Sequence, residues 1–152
     1  MDATDMRILA LLQEQGDLSA AEVARRLDLP ATSCWRRIAT LESEGVITRR
    51  VALVDPAKVG AGMVVFVLLR TSRHDAEWLE TFARAVTTMP EVLEVHRLAG
   101  EVDYLLKVLV ADIAGYDAFY RRLIARVPLN DVSASFSMER IKETTAVPLG
   151  RG

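Results

Sequence analysis

An α+β chain in two parts is what this sequence predicts: a winged helix-turn-helix unit over residues 1–54, a linker over 55–62, and a ferredoxin-like βαββαβ unit over 63–152. Three observations predict it. Ser19 to Arg50 reads as two short helices around a tight turn, followed by an arginine-tipped hairpin. Asp55 to Gly62 gathers one proline and two glycines, and the apolar period changes after it. From Met63 onward, strand-like and helix-like segments follow one another in the order βαββαβ.

The first helix is read from Ala3 to Gln15, where Met6, Ile8, Leu9 and Leu12 recur at helical spacing behind Asp2 or Thr4 as a cap. A capping box, Ser19 to Glu22, opens the second, in which Val23, Ala24 and Leu27 share a face. Pro30 then breaks the helix, because it disfavours helical geometry at Leu29 and has no N–H to donate. A third helix starts by Ala31 or Thr32. At about 100° per residue, Cys34, Ile38 and Leu41 point to the core, while Thr32, Ser33, Arg36, Ala39 and Thr40 share the opposite arc. Gly45 fits a left-handed helix end, and Val46-Ile47 leads through Thr48-Arg49-Arg50 into Val51–Val54 as a wing with two cations at its turn.

That outward arc of hydroxyls and an arginine has the chemistry to read duplex DNA. A major groove about 12 Å wide admits one α-helix, an arginine takes guanine bidentately, and serine or threonine reaches bases or phosphates. Arg36 is the first choice of base reader, with Thr32, Ser33 and Thr40 beside it. Arg37 is placed to meet a phosphate, Trp35 to pack beside the helix or touch the DNA backbone, and Arg49 and Arg50 to contact DNA from the wing. The competing reading is a helical hairpin whose arginines only solvate a surface. Against it stands the coincidence of cap, breaker, polar face and basic wing in one short stretch. The overall charge of −2 argues against indiscriminate nucleic-acid binding, yet Arg25 to Arg50 holds six arginines against Asp28, Glu42 and Glu44, a local +3.

In the second unit, Met63 to Thr71 is apolar on both alternating faces, as in a central strand. Asp75 caps a helix whose buried stripe is Trp78, Phe82, Ala85, Val86 and Met89, stopped by Pro90. Glu91–Ala99 and Asp103–Val110 form a hairpin about Gly100-Glu101. Asp112 caps a second helix with Ile113, Tyr116, Phe119, Tyr120, Leu123 and Val127 inward, ending near Pro128. The last strand, Val132 to Glu139, sets Val132, Ala134, Phe136 and Met138 against Ser133, Ser135 and Ser137. Both helices would cover one sheet face, leaving the other for a second copy of the chain.

Four ordered blocks resemble the Lrp/AsnC (leucine-responsive, or feast-famine) family of transcription regulators: Asp2–Leu9; Cys34–Arg37 with Leu41-Glu42 and Gly45–Ile47; Gly100–Leu106; and Met138–Thr145. The resemblance implies homodimers joined through the C-terminal ligand-sensing domain, assembling to tetramers, octamers or larger discs on operator or promoter DNA. It also implies control by a small effector, usually an amino acid. In that family the effector sits near the hairpin turn at an interface between dimers, so the matching residues are Leu98, Ala99, Gly100, Glu101, Asp103 and Tyr104. Backbone groups at a glycine turn suit a carboxylate, and Asp103 suits an ammonium. Cys34–Arg37, Val51–Pro56 and the tail Phe136–Thr145 resemble a subgroup that includes cysteine-responsive regulators, which places cysteine beside the branched-chain amino acids as candidates. The chain departs from the family in having Pro30-Ala31 where a hydroxyl cap followed by proline is common, and Gly-Glu where Gly-Asp is frequent.

The same architecture also resembles sirohaem decarboxylases of tetrapyrrole synthesis, which would make the protein an enzyme. Arg36, Arg49 and Arg50, for which such an enzyme has no need, favour the regulator. The lone cysteine, Cys34, permits no internal disulfide and falls on the inward arc, where a thiol behaves as a small hydrophobe. His74 and His96 lack ligand-spaced partners, so neither a metal nor another cofactor is expected. Seven charged residues from Asp2 to Arg25 exclude a signal-peptide core. The longest uncharged stretch, Val59 to Leu69, is too short to span a membrane, so a cytoplasmic protein is expected.

Overall fold

The computed structural model describes residues 1–150. The chain forms two compact units, one of Met1–Leu53 with the tail from Lys142, the other of Val54–Ile141.

In the first unit α1 (Ala3–Glu14), α2 (Ala20–Leu27) and α3 (Ala31–Ser43) pack around Ile8, Leu9, Leu18, Val23, Ala24, Cys34, Ile38 and Leu41. Both N-terminal caps are reciprocal. Asp2 accepts from the N–H groups of Thr4 and Asp5 while the Asp5 carboxylate receives the Asp2 N–H, and Ser19 and Glu22 exchange the same pair of bonds. Asp28 ends α2 in the left-handed region at φ 54°, where a short polar side chain is better tolerated than a branched one. Gly45, at φ 73°, turns the chain out of α3, with its N–H on the Glu42 carbonyl and that of Ile47 on Leu41.

Two boundaries differ from expectation. Residues 46–54 form no strand pairs within the chain, so the basic segment is an open stretch and not a closed hairpin. Arg50, expected at the tip, turns back: its guanidinium donates to the Leu18 carbonyl at 3.0 Å and pairs with Glu42 at 3.1 Å. The tail, expected in the second domain, lies on the first. The Val147 N–H donates to Gln13 Oε1 at 2.6 Å, the Gln13 amide returns a bond to the Val147 carbonyl, and Leu149 packs against the helical core.

The second unit begins with a 3₁₀ turn, Pro56–Val59, capped by Asp55, within the segment expected as the linker. Then come β1 (Met63–Arg70), α4 (Ala76–Thr87), β2 (Val92–Arg97), β3 (Tyr104–Val110), α5 (Ile113–Arg126) and β4 (Asp131–Phe136). The sheet is antiparallel in the order β2-β3-β1-β4. Val65, Val67 and Leu69 of β1 and Leu106 and Val108 of β3 meet Trp78, Phe82, Phe119 and Leu123 of the helices. Trp78 stacks on Phe82 at 5.1 Å, and its indole N–H donates to the Pro128 carbonyl at 2.8 Å, tying α4 to the end of α5. Burying each such ring contributes about 1.5–3 kcal/mol.

The five residues of the α4 stripe are all buried. On α5 the stripe is narrower than read: Ile113, in the first turn, is 67% exposed because the core begins only at Tyr116. The last strand stops at Phe136, which lies half out against the edge of Tyr116, and Met138 beyond the β1 register is 96% exposed.

Candidate nucleic-acid interface and ligand site

On the outer face of α3, Thr32, Trp35, Arg36 and Thr40 are exposed and Ser33 is half-buried. Among the described residues the Arg36 guanidinium has no partner, so its donors are unspent. Its backbone carbonyl takes the Thr40 hydroxyl at 3.0 Å, which leaves Thr40 an acceptor and a methyl to offer. Arg37 is engaged otherwise. It pairs with Asp2 at 2.8 Å and Asp5 at 2.7 Å, fastening the start of α1 to α3. Of the two basic residues beyond Gly45, Arg50 is held as described and Arg49 has no partner among the described residues. Of the four arginines assigned to DNA by sequence, then, two stand free and two are struts of the fold.

The Arg37 pairs carry a pH dependence. The Asp5 N–H and then the Arg37 guanidinium hold the Asp2 carboxyl below the usual carboxylate range. A depressed carboxylate stabilises the fold above its unfolded value, about pH 3.9, and that contribution is lost as pH falls through the lower folded value. Asp2→Asn keeps a capping oxygen and removes the charge, so its melting temperature should fall below wild type at pH 7, with the gap narrowing as the pH is lowered to about 3. Circular dichroism melts at the two values decide it, and an equal gap at both would show that the charge contributes nothing.

Cys34 is buried in the helical core, and burial raises its thiol above the ordinary range. That favours the protonated, unreactive form.

The second candidate site is the end of the sheet where β2 turns into β3. The connection is closed by the Leu98 N–H on the Asp103 carbonyl at 2.8 Å, and Gly100 takes φ +147°, which side chains rarely adopt. Among the described residues the N–H groups of Ala99, Gly100 and Glu101 donate to no protein acceptor. Glu101 pairs with Arg70 at 2.7 Å, and Arg70 leaves β1 beside this turn. Asp103 is partly committed: Oδ2 accepts the Thr71 N–H at 2.8 Å, while Oδ1 lies 3.9 Å from His74 Nε2. Tyr104 does not line the turn with its ring. Its side chain is buried between Trp78 and Phe82, at 5.6 and 4.6 Å, so only its backbone borders the site. Arg70, Thr71 and Asn130, whose carboxamide accepts from Ser72, are neighbours the sequence reading missed. The available signal was a cation closing an otherwise apolar central strand.

Among the described residues no three His, Cys, Asp or Glu side chains gather as a metal site, and no helix is long and apolar enough to cross a membrane.

The profile of the Lrp/AsnC ligand binding domain matches residues 64–147, and that of a winged helix-turn-helix DNA-binding domain matches residues 1–48. The chain is 48% identical to the DNA-binding transcriptional activator DecR of Escherichia coli, over 98% of this chain and 99% of that one. A crystal structure of an AsnC family transcriptional regulator from Agrobacterium tumefaciens superposes with a TM-score of 0.94 at 52% identity, covering 97% of each chain. A transcriptional regulator of Neisseria meningitidis, solved in complex with L-Met, superposes at 0.92 with 35% identity, over 97% of this chain and 96% of that one. Its architecture and these matches agree: the chain belongs to the Lrp/AsnC family of transcriptional regulators, with a winged helix-turn-helix DNA-binding domain followed by the family's ligand binding domain.

Proposed function

We propose that this chain is a cytoplasmic, sequence-specific regulator of amino-acid metabolism that binds operator DNA through α3 and changes that binding when an amino acid occupies the β2–β3 turn. The observation that carries it is the unspent Arg36 guanidinium on the exposed face of α3, within the segment that matches a DNA-binding profile. Thr32, Ser33, Trp35, Thr40 and Arg49 are its neighbours on DNA, while Arg37 and Arg50 act by holding the helices in place.

An amino acid suits the turn chemically. Its carboxylate meets the N–H groups of Ala99, Gly100 and Glu101, and its ammonium meets Asp103 Oδ1. That a related regulator was solved with L-Met supports the ligand class. Assembly follows from the open sheet face, where Val64, Phe66 and Leu68 of β1 lie beside Leu109, Lys107 and Leu105 of β3. An apolar face of this kind is covered by a second copy, giving a dimer that presents two recognition helices. We read the protein as a regulator and not an enzyme, since free arginines on a recognition helix have a use on DNA and none in decarboxylation.

Fluorescence anisotropy on duplex from the protein's own upstream region, against scrambled duplex at physiological salt, tests this with amino acids added in turn. Preferential binding shifted by one amino acid is the expected result; equal weak binding to both duplexes, unmoved by any amino acid, would count against it. Asp103→Asn keeps an acceptor for the Thr71 N–H and removes the charge. It should weaken the effector response by about tenfold to a hundredfold, the worth of a charged hydrogen bond, and leave effector-free DNA affinity unchanged. An unaltered ligand titration would remove Asp103 from the site.

A further inference from the structure

The N-terminal ends of α2 and α3 enclose a shallow hollow of about 530 Å³, lined by Ala20, Ala21, Ala31, Thr32, Trp35 and Arg36. Three alanines and an indole make it apolar. Trp35 is 64% exposed, in contrast to Trp78 at 2%. An indole left open to water on a helix face is a large apolar surface without an internal use.

Helical spacing organises the hollow. Ala31 and Trp35 are four residues apart, as are Thr32 and Arg36, so an apolar row runs directly beside the row that ends in the free guanidinium. Arg36 belongs to the face proposed to enter the major groove, and any group that reaches the apolar row arrives on the same DNA. The major groove presents donors, acceptors and one apolar group, the 5-methyl of thymine. Alanine and threonine methyls and aromatic rings are the surfaces that receive it.

We propose that Trp35, with Ala31 and the Ala20-Ala21 shoulder of α2, receives a thymine methyl next to the base that Arg36 reads, so that this hollow specifies thymine. The inference rests on the DNA-binding reading above. It assigns Trp35 to base selection, where the sequence alone left it packing beside the helix or touching the backbone.

The test begins with full-length protein and a random duplex pool, from which a preferred site is enriched. Each thymine of that site is then replaced in turn by deoxyuridine, which pairs identically and lacks only the methyl group. At one thymine per half-site, wild-type affinity should fall about fourfold, the value of one buried methyl. Trp35→Ala should bind the thymine site more weakly and show no further loss on replacement, while Trp35→Leu, which restores an apolar surface, should regain the sensitivity. Because Trp35 is exposed, circular dichroism of both variants should match wild type. A site indifferent to deoxyuridine at every position, or a loss that persists undiminished in Trp35→Ala, would overturn the inference and leave DNA binding standing. Failure to enrich any sequence would overturn the DNA-binding reading itself, and this inference with it.

Discussion

Arg36→Ala should reduce affinity for the preferred DNA site by about tenfold to a hundredfold, the worth of a bidentate arginine–guanine pair, without moving the melting temperature. Both halves of that expectation follow from one fact: among the described residues the guanidinium has no intramolecular partner, so truncation removes nothing the fold uses. The neighbouring residue supplies the control. Arg37 is bound to Asp2 and Asp5, so Arg37→Ala should lower thermal stability, and any loss of DNA affinity should track the loss of folded protein. Affinity for scrambled duplex separates a base contact from a phosphate contact. A base reader loses specific binding far more than non-specific binding, whereas a phosphate contact weakens all sequences alike. Equal losses on both duplexes would reassign Arg36 to the phosphates; a lowered melting temperature would make it structural.

The contrast between Arg36 and Arg37 also marks where sequence reasoning stops. Helical periodicity places residues on arcs, and it put Cys34, Ile38 and Leu41 inward with Arg36 outward, as the structure has them. It does not say what a flanking arginine finds, because the answer lies 35 residues earlier at Asp2. Arg50 is the same case, its partners Leu18 and Glu42 being brought near only by tertiary packing. The βαββαβ order was legible because each element carries its own period, cap and stop. Asp75 and Asp112 cap their helices through the N–H groups of Trp78 and Gly115. At the β2–β3 turn the glycine was visible and the surroundings were not: Thr71 and Arg70 come from the end of β1, more than 25 residues away in sequence. Tyr104 shows the opposite failure. The family pattern offered it as part of the ligand site, whereas strand alternation sends its ring to the helices, into the space between Trp78 and Phe82.

Phe119→Ala should cost the second unit about 3–5 kcal/mol, the largest effect of any single change argued for this chain. Phe119 is fully buried on α5, in the cluster that joins both helices to β1 and β3. Its removal takes away the contact with the Tyr116 ring and leaves a cavity in the helix–sheet core. Against the 5–15 kcal/mol stability typical of a domain, that is a large share, and the melting temperature should fall by more than about ten degrees. Each unit carries one tryptophan, so the loss is assignable. In a Trp35→Phe background the emission of Trp78, 2% exposed in the wild-type chain, reports the second unit alone. An unchanged midpoint would mean that the stability of this unit lies outside its helix–sheet core. The consequence for function is sharper than for folding. On the proposal that the outer face of this sheet receives a second copy and its end the effector, weakening the core that Phe119 helps to form should lower dimer content and effector response together. By contrast Ile113→Ala, on the same helix but 67% exposed, should change neither by a measurable amount, because a side chain already in water loses little on truncation.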